Sequence, residues 1–584
     1  MTSPALQTPN VDRTGTRLAL AVIVIGVALR IWVLSQRGSL WLDEASLVLN
    51  VLGRDFGALA TPLDWGQAAP VGFLWLEKGL AALLGPREWV LRLWPFLASV
   101  GGLGLTWWVG KRLVGPVAAL LATVGTAASL LELRYAAEAK PYASDAFVAL
   151  GVVALVIRLR EQPLSSRRWA LLGAGGVAAV LFSLPSVFVL AAVGCALLPD
   201  LKRAGMQVRA VAFAVGLAWL ATFGALWILM IRDSSGGGYL REYWAPVMLD
   251  PRAPDFVARL IRAVASAAAT PLRWTGDVPV ALTLVALWVA GAALAWRRGW
   301  QALALLVGPF LIAALASVAG VYPLSDRLAA FAIPGALLIV AIPVAWILDQ
   351  AARRVGERVA PAIVLVSALA LGAWVAMDSA RIVKAPGTLE PTRALFAGVR
   401  TSADSTGAGV YVFARAVPAW VYTTTDWKAP DRDRLTAFLE AAGSTDAQGH
   451  ENFARRDGVM LGDAEGMVAG AVSEMRAGRM AFTKLEFIGL AAGVRYRIAG
   501  APSAEGPSRG WAEEEARRIG MLVDGTFAGT AWIVGSHFFE GTPRDELQPL
   551  IAAVRAKGFQ IVEERRGGRD AIALRVAMPA PTTR

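Results

Sequence analysis

Two adjacent carboxylates, Asp43 and Glu44, follow the first long apolar segment, within Ser39-Leu-Trp-Leu-Asp-Glu-Ala-Ser46. At the mouth of a helix bundle, paired acids can serve as a general base, as ligands for a hard divalent cation, or as a helix N-terminal cap. The residues alone leave these three roles open. Asp43 and Glu44 are therefore the first candidates for catalysis.

A second group of polar side chains occupies one short segment, which contains Arg134, Glu138, Lys140, Tyr142 and Asp145. Arg134 and Glu138 stand four residues apart, so an ion pair within one helix would explain them without any function. Alternatively, Arg134 and Lys140 could hold a phosphate, the guanidinium as a planar fork and the ammonium as a point charge. The density of charge in one turn favours a functional site.

Tyr322 and Arg327 form a third group, in a turn between two long apolar segments. Arg327 could extend to lipid headgroups, or it could reach into a cavity and stabilise an anionic leaving group. Arg92 presents the same choice. Asp64 in the first long loop is a candidate supporting acid, although a lone acid there is also typical of a turn.

The composition shows which elements must position these groups. The 584 residues are 56% hydrophobic and only 17% charged, with a mean hydropathy of +0.51, which excludes a wholly soluble enzyme. About eleven apolar segments of roughly membrane-spanning length are predicted. They cover residues 18–34, 90–110, 115–133, 145–159, 169–184, 187–199, 210–231, 278–296, 301–320, 328–348 and 360–377.

Short basic gaps between alternate segments predict the orientation of the chain. They hold Lys111 and Arg112, Arg158 to Arg168, Lys202 to Arg209, Arg297 and Arg298, and Arg353 to Arg358. Such gaps mark the cytoplasmic side, so the long first loop at 35–89, the turns at 134–144 and 321–327, and the chain after about 378 face outward. The net charge of +12 is this kind of excess, and nucleic acid is not the indicated partner.

The composition changes near residue 380, and short apolar runs then alternate with helical patterns. We expect a polytopic α-helical membrane domain at 1–380 and a soluble extracytoplasmic α/β domain at 381–584. No glycine-rich phosphate loop opens a helix there, so a nucleotide site is not supported. The single Cys195 and the two histidines, His450 and His537, exclude an intrachain disulfide and a His-rich metal site. Any divalent cation would depend on carboxylates, with Asp43, Glu44 and Glu138 as the candidates.

These motifs and their order resemble the membrane-embedded GT-C glycosyltransferases. The similarity is to the bacterial family 39 type, related to protein O-mannosyltransferases and to the aminoarabinose transferase that acts on lipid A. It rests on Ser39-Leu-Trp-Leu-Asp-Glu-Ala45, Tyr135-Ala-Ala-Glu-Ala-Lys-Pro-Tyr142 and Tyr322-Pro-Leu-Ser-Asp-Arg327. Many relatives carry His-Pro-Pro in the first loop, where this chain has Gln67-Ala-Ala-Pro70, so the resemblance does not carry a particular substrate with it.

The resemblance implies a multi-pass enzyme of the bacterial inner membrane. Its donor would be a sugar on a polyprenyl phosphate, and its acceptor a hydroxyl of a lipid, a glycan or a protein on the extracytoplasmic side. Asp43 would be the general base of a single inverting displacement. Glu44 or Glu138 would orient the cations or bind a divalent cation, and metal dependence stays open. The implied phosphate ligands are Arg327, Lys140, Arg134 and Arg92, with Glu138, Tyr142, Asp145, Asp64 and Tyr322 as supporting residues.

Two other functions fit parts of the sequence. A polytopic lipid or glycan transporter would also place charges near a helix bundle, and Pro185 and Pro334 could break helices as transporters require. Here the charges cluster in outward turns instead. A non-catalytic assembly protein would account for the α/β region but would leave the placement of Asp43 and Glu44 unexplained.

Overall fold

The structure is a computed structural model of the whole chain. It describes residues 9–63, 67–232, 244–269, 278–324, 327–355, 359–384, 391–406, 408–412, 416–424, 427, 496–498, 516, 519, 530–536, 547–568 and 571–577.

Helices make up most of the described chain. In order they are α1 Pro9–Gln36, α2 Leu42–Gly53, α3 Val71–Leu84, α4 Leu93–Leu113, α5 Pro116–Ala128, α6 Leu130–Tyr135, α7 Tyr142–Leu159, α8 Ser166–Phe182, α9 Ser186–Arg203, α10 Met206–Leu226, α11 Phe256–Ala269, α12 Val278–Arg298, α13 Trp300–Leu306, α14 Gly308–Val318, α15 Ile333–Val355, α16 Ala360–Lys384, α17 Arg393–Thr406, α18 Val417–Thr424 and α19 Leu547–Ala556.

Several helices are long and apolar enough to cross a membrane. Within the described residues, four meet this test, at Thr14–Gln36, Tyr142–Leu159, Met206–Ile231 and Ala330–Arg354. A fifth span results if α13 and α14, which meet at 55°, count as one broken span. Each of the apolar segments predicted from the sequence falls on a helix, but the count of about eleven spans stays a prediction. The protein is a multi-pass membrane protein.

The outer surface of the helix bundle is apolar. Val24 of α1 is 67% exposed, and Leu220 of α10 and Val366 of α16 are each 64% exposed. Large exposed aliphatic side chains on several long helices are expected where the surrounding medium is hydrocarbon rather than water.

A buried arginine joins four helices of the bundle at the predicted outer side. Arg30 of α1 is fully buried, and its Nε donates to Ser99 Oγ of α4 at 2.7 Å. Its NH2 donates to the carbonyl of Thr126 in α5 at 3.0 Å and lies 3.9 Å from the carboxylate of Glu132 in α6. These bonds offset the cost of a charge inside the bundle and hold the helix ends in register.

The described residues after 391 form a mixed sheet with helices beside it. The strands are β1 Gly409–Val412, β2 Tyr496–Ile498, β3 Thr530–Ser536, β4 Gln560–Gly567 and β5 Ala571–Ala577, in the order β2-β1-β3-β5-β4. β1 is parallel to β2 and β3, whereas β5 is antiparallel to β3 and β4. Among the helical patterns of this region, the one that the sequence predicts over residues 432–442 lies outside the described residues. The boundary near 380 and the autonomy of an α/β domain stay predictions.

The sheet side of the molecule packs directly on the start of the bundle. Val48 and Leu49 of α2 share one hydrophobic cluster with Val410 of β1 and Trp420 of α18. The backbone N–H of Arg393, at the start of α17, donates to Ser39 Oγ at 3.0 Å. The helix that carries Asp43 is therefore held between the bundle and the sheet elements.

Candidate active site

Asp43 lies at the centre of a cluster drawn from three distant parts of the chain. Its Oδ1 is 3.0 Å from Lys140 Nζ, and its Oδ2 is 3.1 Å from Arg327 NH1. Gln67 Nε2 donates to Asp43 Oδ1 at 3.3 Å, and Lys140 Nζ donates to Gln67 Oε1 at 2.5 Å. The structure thus brings the first, second and third groups of the sequence analysis to one carboxylate.

Local structure explains how these side chains reach one another. Asp43 is in the first turn of α2, where the positive end of the helix dipole favours a carboxylate. Lys140 precedes Pro141, and Pro141 is the residue before α7 begins, which fixes the end of the turn. Arg327 follows the turn after α14, and its guanidinium lies 5.0 Å from the ring centroid of Trp244.

The electrostatic surroundings keep Asp43 ionised. Burial would raise the pKa of the carboxyl, but the opposing charges of Lys140 and Arg327 outweigh burial and hold the pKa below its usual value. The pKa of Lys140 is lowered, because burial disfavours the ammonium more than the Asp43 carboxylate favours it. At neutral pH the cluster therefore contains a carboxylate that is able to accept a proton.

Glu44 and Arg92 form a second buried ion pair beside this cluster. Arg92 Nε donates to Glu44 Oε1 at 2.8 Å, and Arg92 NH2 donates to Glu44 Oε2 at 2.7 Å. The remaining N–H groups of Arg92 reach backbone carbonyls, those of Arg37 at 3.0 Å and of Ser39 at 2.8 Å among them. Arg92 is fully buried, and its nitrogens are all engaged, so the predicted phosphate role of Arg92 is not part of our proposal.

Glu44 also connects the first loop to the turn before α7. Its Oε1 accepts from the backbone N–H of Ala139 at 2.7 Å, next to Lys140. Its Oε2 accepts from the backbone N–H of Trp41 at 3.3 Å, so Glu44 also caps α2, which was one of the alternatives for the acidic pair. Burial would raise the pKa of Glu44, but Arg92 outweighs burial and lowers it.

Glu138 takes part in ion pairs rather than facing Asp43 directly. Arg134 Nε donates to Glu138 Oε1 at 2.7 Å, which is the four-residue ion pair expected as the alternative to a functional role. Arg37 NH1 lies 3.5 Å from the same oxygen. The Arg134 side chain keeps 34% of its surface exposed, so it remains accessible at the edge of the site.

The remaining predicted residues lie at different distances from the cluster. Tyr142 is buried near Asp43, and its ring centroid is 5.0 Å from that of Tyr135. Tyr322 donates from its hydroxyl to the carbonyl of Leu328 at 2.8 Å, which shapes the turn that carries Arg327. Asp145 is buried one turn further along α7. Asp64 lies outside the described residues.

Gln67 is the residue at this site whose part the sequence did not indicate. It stands between Asp43 and Lys140, contacting both. The only signal in the sequence was its position, at the start of Gln67-Ala-Ala-Pro70 in the first loop. A neutral amide has no charge pattern that would have distinguished it from an ordinary loop residue.

The carboxylates proposed as metal ligands do not assemble a metal site. Asp43, Glu44 and Glu138 are each paired with arginine or lysine side chains. Among the residues that the structure describes, no group of three or more histidine, cysteine, aspartate or glutamate side chains is placed to hold a metal ion. The donor set therefore does not fit a resident divalent cation.

Comparison with solved structures identifies the fold. ArnT from Cupriavidus metallidurans in the apo state aligns over 96% of this chain and 98% of its own, with a TM-score of 0.50 and 13% sequence identity. The chain has the GT-C fold. The resemblance drawn from the sequence motifs is thereby confirmed at the level of the fold.

Two further solved structures align with lower TM-scores, and the comparisons with family models and curated proteins found no match. ArnT bound to undecaprenyl phosphate aligns over 95% of this chain and 97% of its own, with a TM-score of 0.45 and 14% identity. The Archaeoglobus fulgidus oligosaccharyltransferase in complex with Zn and sulfate aligns over 70% of this chain and 61% of its own, with a TM-score of 0.44 and 13% identity. No family model and no curated protein matches the chain.

Proposed function

We propose that this protein is a membrane glycosyltransferase that moves a sugar from a polyprenyl phosphate to an acceptor hydroxyl. The observation that carries the proposal is the Asp43 cluster, in which one ionised carboxylate lies within 3.1 Å of both a lysine and an arginine. A base beside two cations is what a displacement requires when its leaving group is a phosphate. The GT-C fold supports this class of reaction.

The proposed reaction is a single displacement at the anomeric carbon. The acceptor oxygen forms a bond to that carbon, and Asp43 takes the hydroxyl proton. The bond from the anomeric carbon to the phosphate oxygen breaks, and its electron pair leaves with the polyprenyl phosphate. One displacement inverts the anomeric configuration.

Lys140 and Arg327 would stabilise the phosphate as its charge grows. Each contacts a different oxygen of Asp43, so together they surround the carboxylate from two sides. The guanidinium provides a planar fork for phosphate and the ammonium a point charge. Arg134, partly exposed at the edge of the site, is the third candidate ligand. Glu44 and Arg92 would position the loop and the turn rather than contact the donor.

A lipid-linked donor also needs room for its chain. An apolar cavity of about 350 Å³ lies between α5, α12, α15 and α16, with Leu121, Leu287, Val340 and Leu371 among its lining residues. The helix α15 begins at Ile333, soon after Arg327. A cavity of this lining suits an isoprenoid chain whose phosphate lies at the cations.

We further propose that the site faces the extracytoplasmic side of a bacterial inner membrane, together with the sheet elements. The basic gaps predict this orientation. Nucleotide sugars are not expected on that side, which is why the sugar would arrive on a lipid carrier. The sugar and the acceptor are not specified by the residues of the cluster.

The test is sugar transfer by the full-length protein in nanodiscs, with a panel of polyprenyl-phosphate sugars. We expect wild type to consume at least one donor, and Asp43→Asn to lose about a hundredfold or more of kcat, the scale of general-base catalysis. Asp200→Asn is the matched control, because Asp200 pairs with Arg160 at the opposite membrane face. Full turnover by Asp43→Asn would contradict the assignment of the base, and a wild type that consumes no donor would favour a transporter.

A further inference from the structure

A second buried acid, Asp145, lies in the first turn of α7 without a compensating charge. The residue is 7% exposed, and its Oδ1 is buried with no hydrogen-bond partner. No lysine, arginine or histidine pairs with it among the residues that the structure describes. A buried carboxylate oxygen without a partner costs free energy, and such a group calls for an explanation by something that binds to it.

Two further buried polar side chains, Ser183 and Trp94, lie near Asp145. Ser183, which directly follows α8, is fully buried, and its hydroxyl lies next to the Asp145 carboxyl. The indole of Trp94 packs against the rings of Phe147 and Phe182, with centroids 6.2 and 6.0 Å away. These phenylalanines stand two residues after Asp145 and one before Ser183. Trp94 Nε1 is likewise buried and has no partner.

Tyr322, which precedes Arg327 by five residues, is a further neighbour of Asp145. Tyr322 lies near Asp145, and its ring packs edge-on against Phe188 with a centroid distance of 4.9 Å. The four residues Asp145, Ser183, Trp94 and Tyr322 therefore come from α7, the end of α8, α4 and the segment 321–324. We refer to these four residues as the Asp145 pocket.

The Asp145 pocket is adjacent to the Asp43 cluster. Tyr142 is a neighbour of Asp43, and Tyr142 and Asp145 stand three residues apart on one face of α7. A helical rise of 1.5 Å per residue places Asp145 about 4.5 Å further along the helix. This offset is comparable to the width of one sugar ring.

We propose that the Asp145 pocket binds the edge of the donor sugar remote from the anomeric carbon, through hydroxyl or amino groups on that edge. The inference rests on the proposed function, because it assumes a lipid-linked sugar with its anomeric carbon between Asp43 and the cations. The Asp145 carboxylate accepts hydrogen bonds, Trp94 Nε1 donates one, and the Ser183 hydroxyl does either.

The chemistry of the pocket suits a hydroxylated ring better than an anion or an apolar group. A phosphate would find no cation beside Asp145 among the described residues, and an apolar group would leave Asp145 Oδ1 and Trp94 Nε1 without partners. A site that hydrogen-bonds a substrate hydroxyl rejects analogues that lack it, because its own polar groups then stay unpaired.

The experiment compares a consumed donor with its deoxy analogues, one ring position at a time, using the full-length protein in nanodiscs. We expect wild type to prefer the hydroxylated donor by about a hundredfold or more in kcat/KM at one or two positions remote from the anomeric carbon. Asp145→Asn and Ser183→Ala should each reduce that preference at least tenfold, mainly through KM. Asp349→Asn, a buried acid at the far end of α15, is the matched control and should leave the preference unchanged.

The outcomes separate this inference from the proposed function. The Asp145 pocket is overturned if Asp145→Asn and Ser183→Ala lose the same activity with every donor, or if both keep the wild-type preference. Transfer by wild type would still support a glycosyltransferase. A wild type that turns over no lipid-linked sugar overturns both. If Asp145→Asn does not fold, the milder Ser183→Ala decides.

Discussion

Asp43, which is partly buried, and Asp145, which is buried, lie in neighbouring parts of the molecule and have opposite surroundings. The Asp43 carboxylate contacts Lys140 at 3.0 Å and Arg327 at 3.1 Å, whereas Asp145 pairs with no cation in the part of the chain that the structure describes. Two cations beside a carboxylate can stabilise an anion that forms or leaves there, such as a phosphate. A buried acid without neighbouring cations, beside neutral hydrogen-bonding groups and aromatic rings, suits an uncharged polar ligand.

The difference also assigns the two acids to different steps of the proposed reaction. Cations that hold the pKa of Asp43 low keep its carboxylate ionised and ready to accept a proton. No described cation lies beside Asp145, and the role that we propose for Asp145 is to bind the donor sugar. Glu44 extends the comparison, since it is a compensated acid with no proposed contact to substrate.

The largest effect that we expect is on the free energy of unfolding, and it would separate a paired acid from an unpaired one. Glu44→Gln leaves Arg92 buried without its counter-charge, and breaking such a pair costs about 3 to 5 kcal/mol in the free energy of unfolding. Asp145 has no counter-charge to lose among the described residues, so Asp145→Asn should be neutral or stabilising. Thermal unfolding in detergent measures both, with Glu161→Gln, an exposed partner of Arg158, as the control. A smaller loss for Glu44→Gln than for Asp145→Asn would contradict the comparison.

The next effect is on the pH dependence of transfer. Lys140 lowers the pKa of Asp43, so Lys140→Met should raise that pKa, and the base would be protonated up to a higher pH. The acid limb of the kcat/KM profile should therefore move to higher pH, while Lys140→Arg moves it much less. Asp145→Asn should leave the limb in place. If Asp145→Asn moves it and Lys140→Met does not, the roles of the two acids are reversed.

The smallest effect separates two arginines at the rim of the Asp43 cluster. Arg327 contacts Asp43, whereas Arg134 is bound to Glu138. We expect Arg327→Met to raise the donor KM about tenfold or more, the scale of one lost charged hydrogen bond, and Arg134→Met to raise it less than threefold. Initial rates at varied donor concentration measure this. Equal effects would place Arg134 at the phosphate as well.

Much of the architecture was readable from residue patterns. The apolar segments mark where helices run, and the strands at 409–412, 530–536 and 571–577 fall on short apolar runs. These features depend on local periodicity, which neighbouring residues carry. The number of membrane spans could not be predicted from the sequence. The composition of a short apolar helix such as α5 does not show whether the helix crosses the membrane.

The roles of individual arginines were much harder to predict. Arg92 and Arg327 looked alike in the sequence, each a single charge beside an apolar segment. In the structure Arg92 is fully buried against Glu44, whereas Arg327 reaches Asp43. Burial and partner choice depend on how helices pack, which the local pattern around each arginine does not contain.

By itself, the sequence determined that this protein belongs in a membrane, that its acids and cations lie in turns between helices, and that Asp43 opens the first loop. Only the tertiary structure decided that Lys140 and Arg327 meet at that one carboxylate, that Gln67 joins them, and that no described cation lies beside Asp145. The physical reason is distance along the chain. Asp43 and Arg327 are 284 residues apart, and such a contact exists only after the intervening helices have packed.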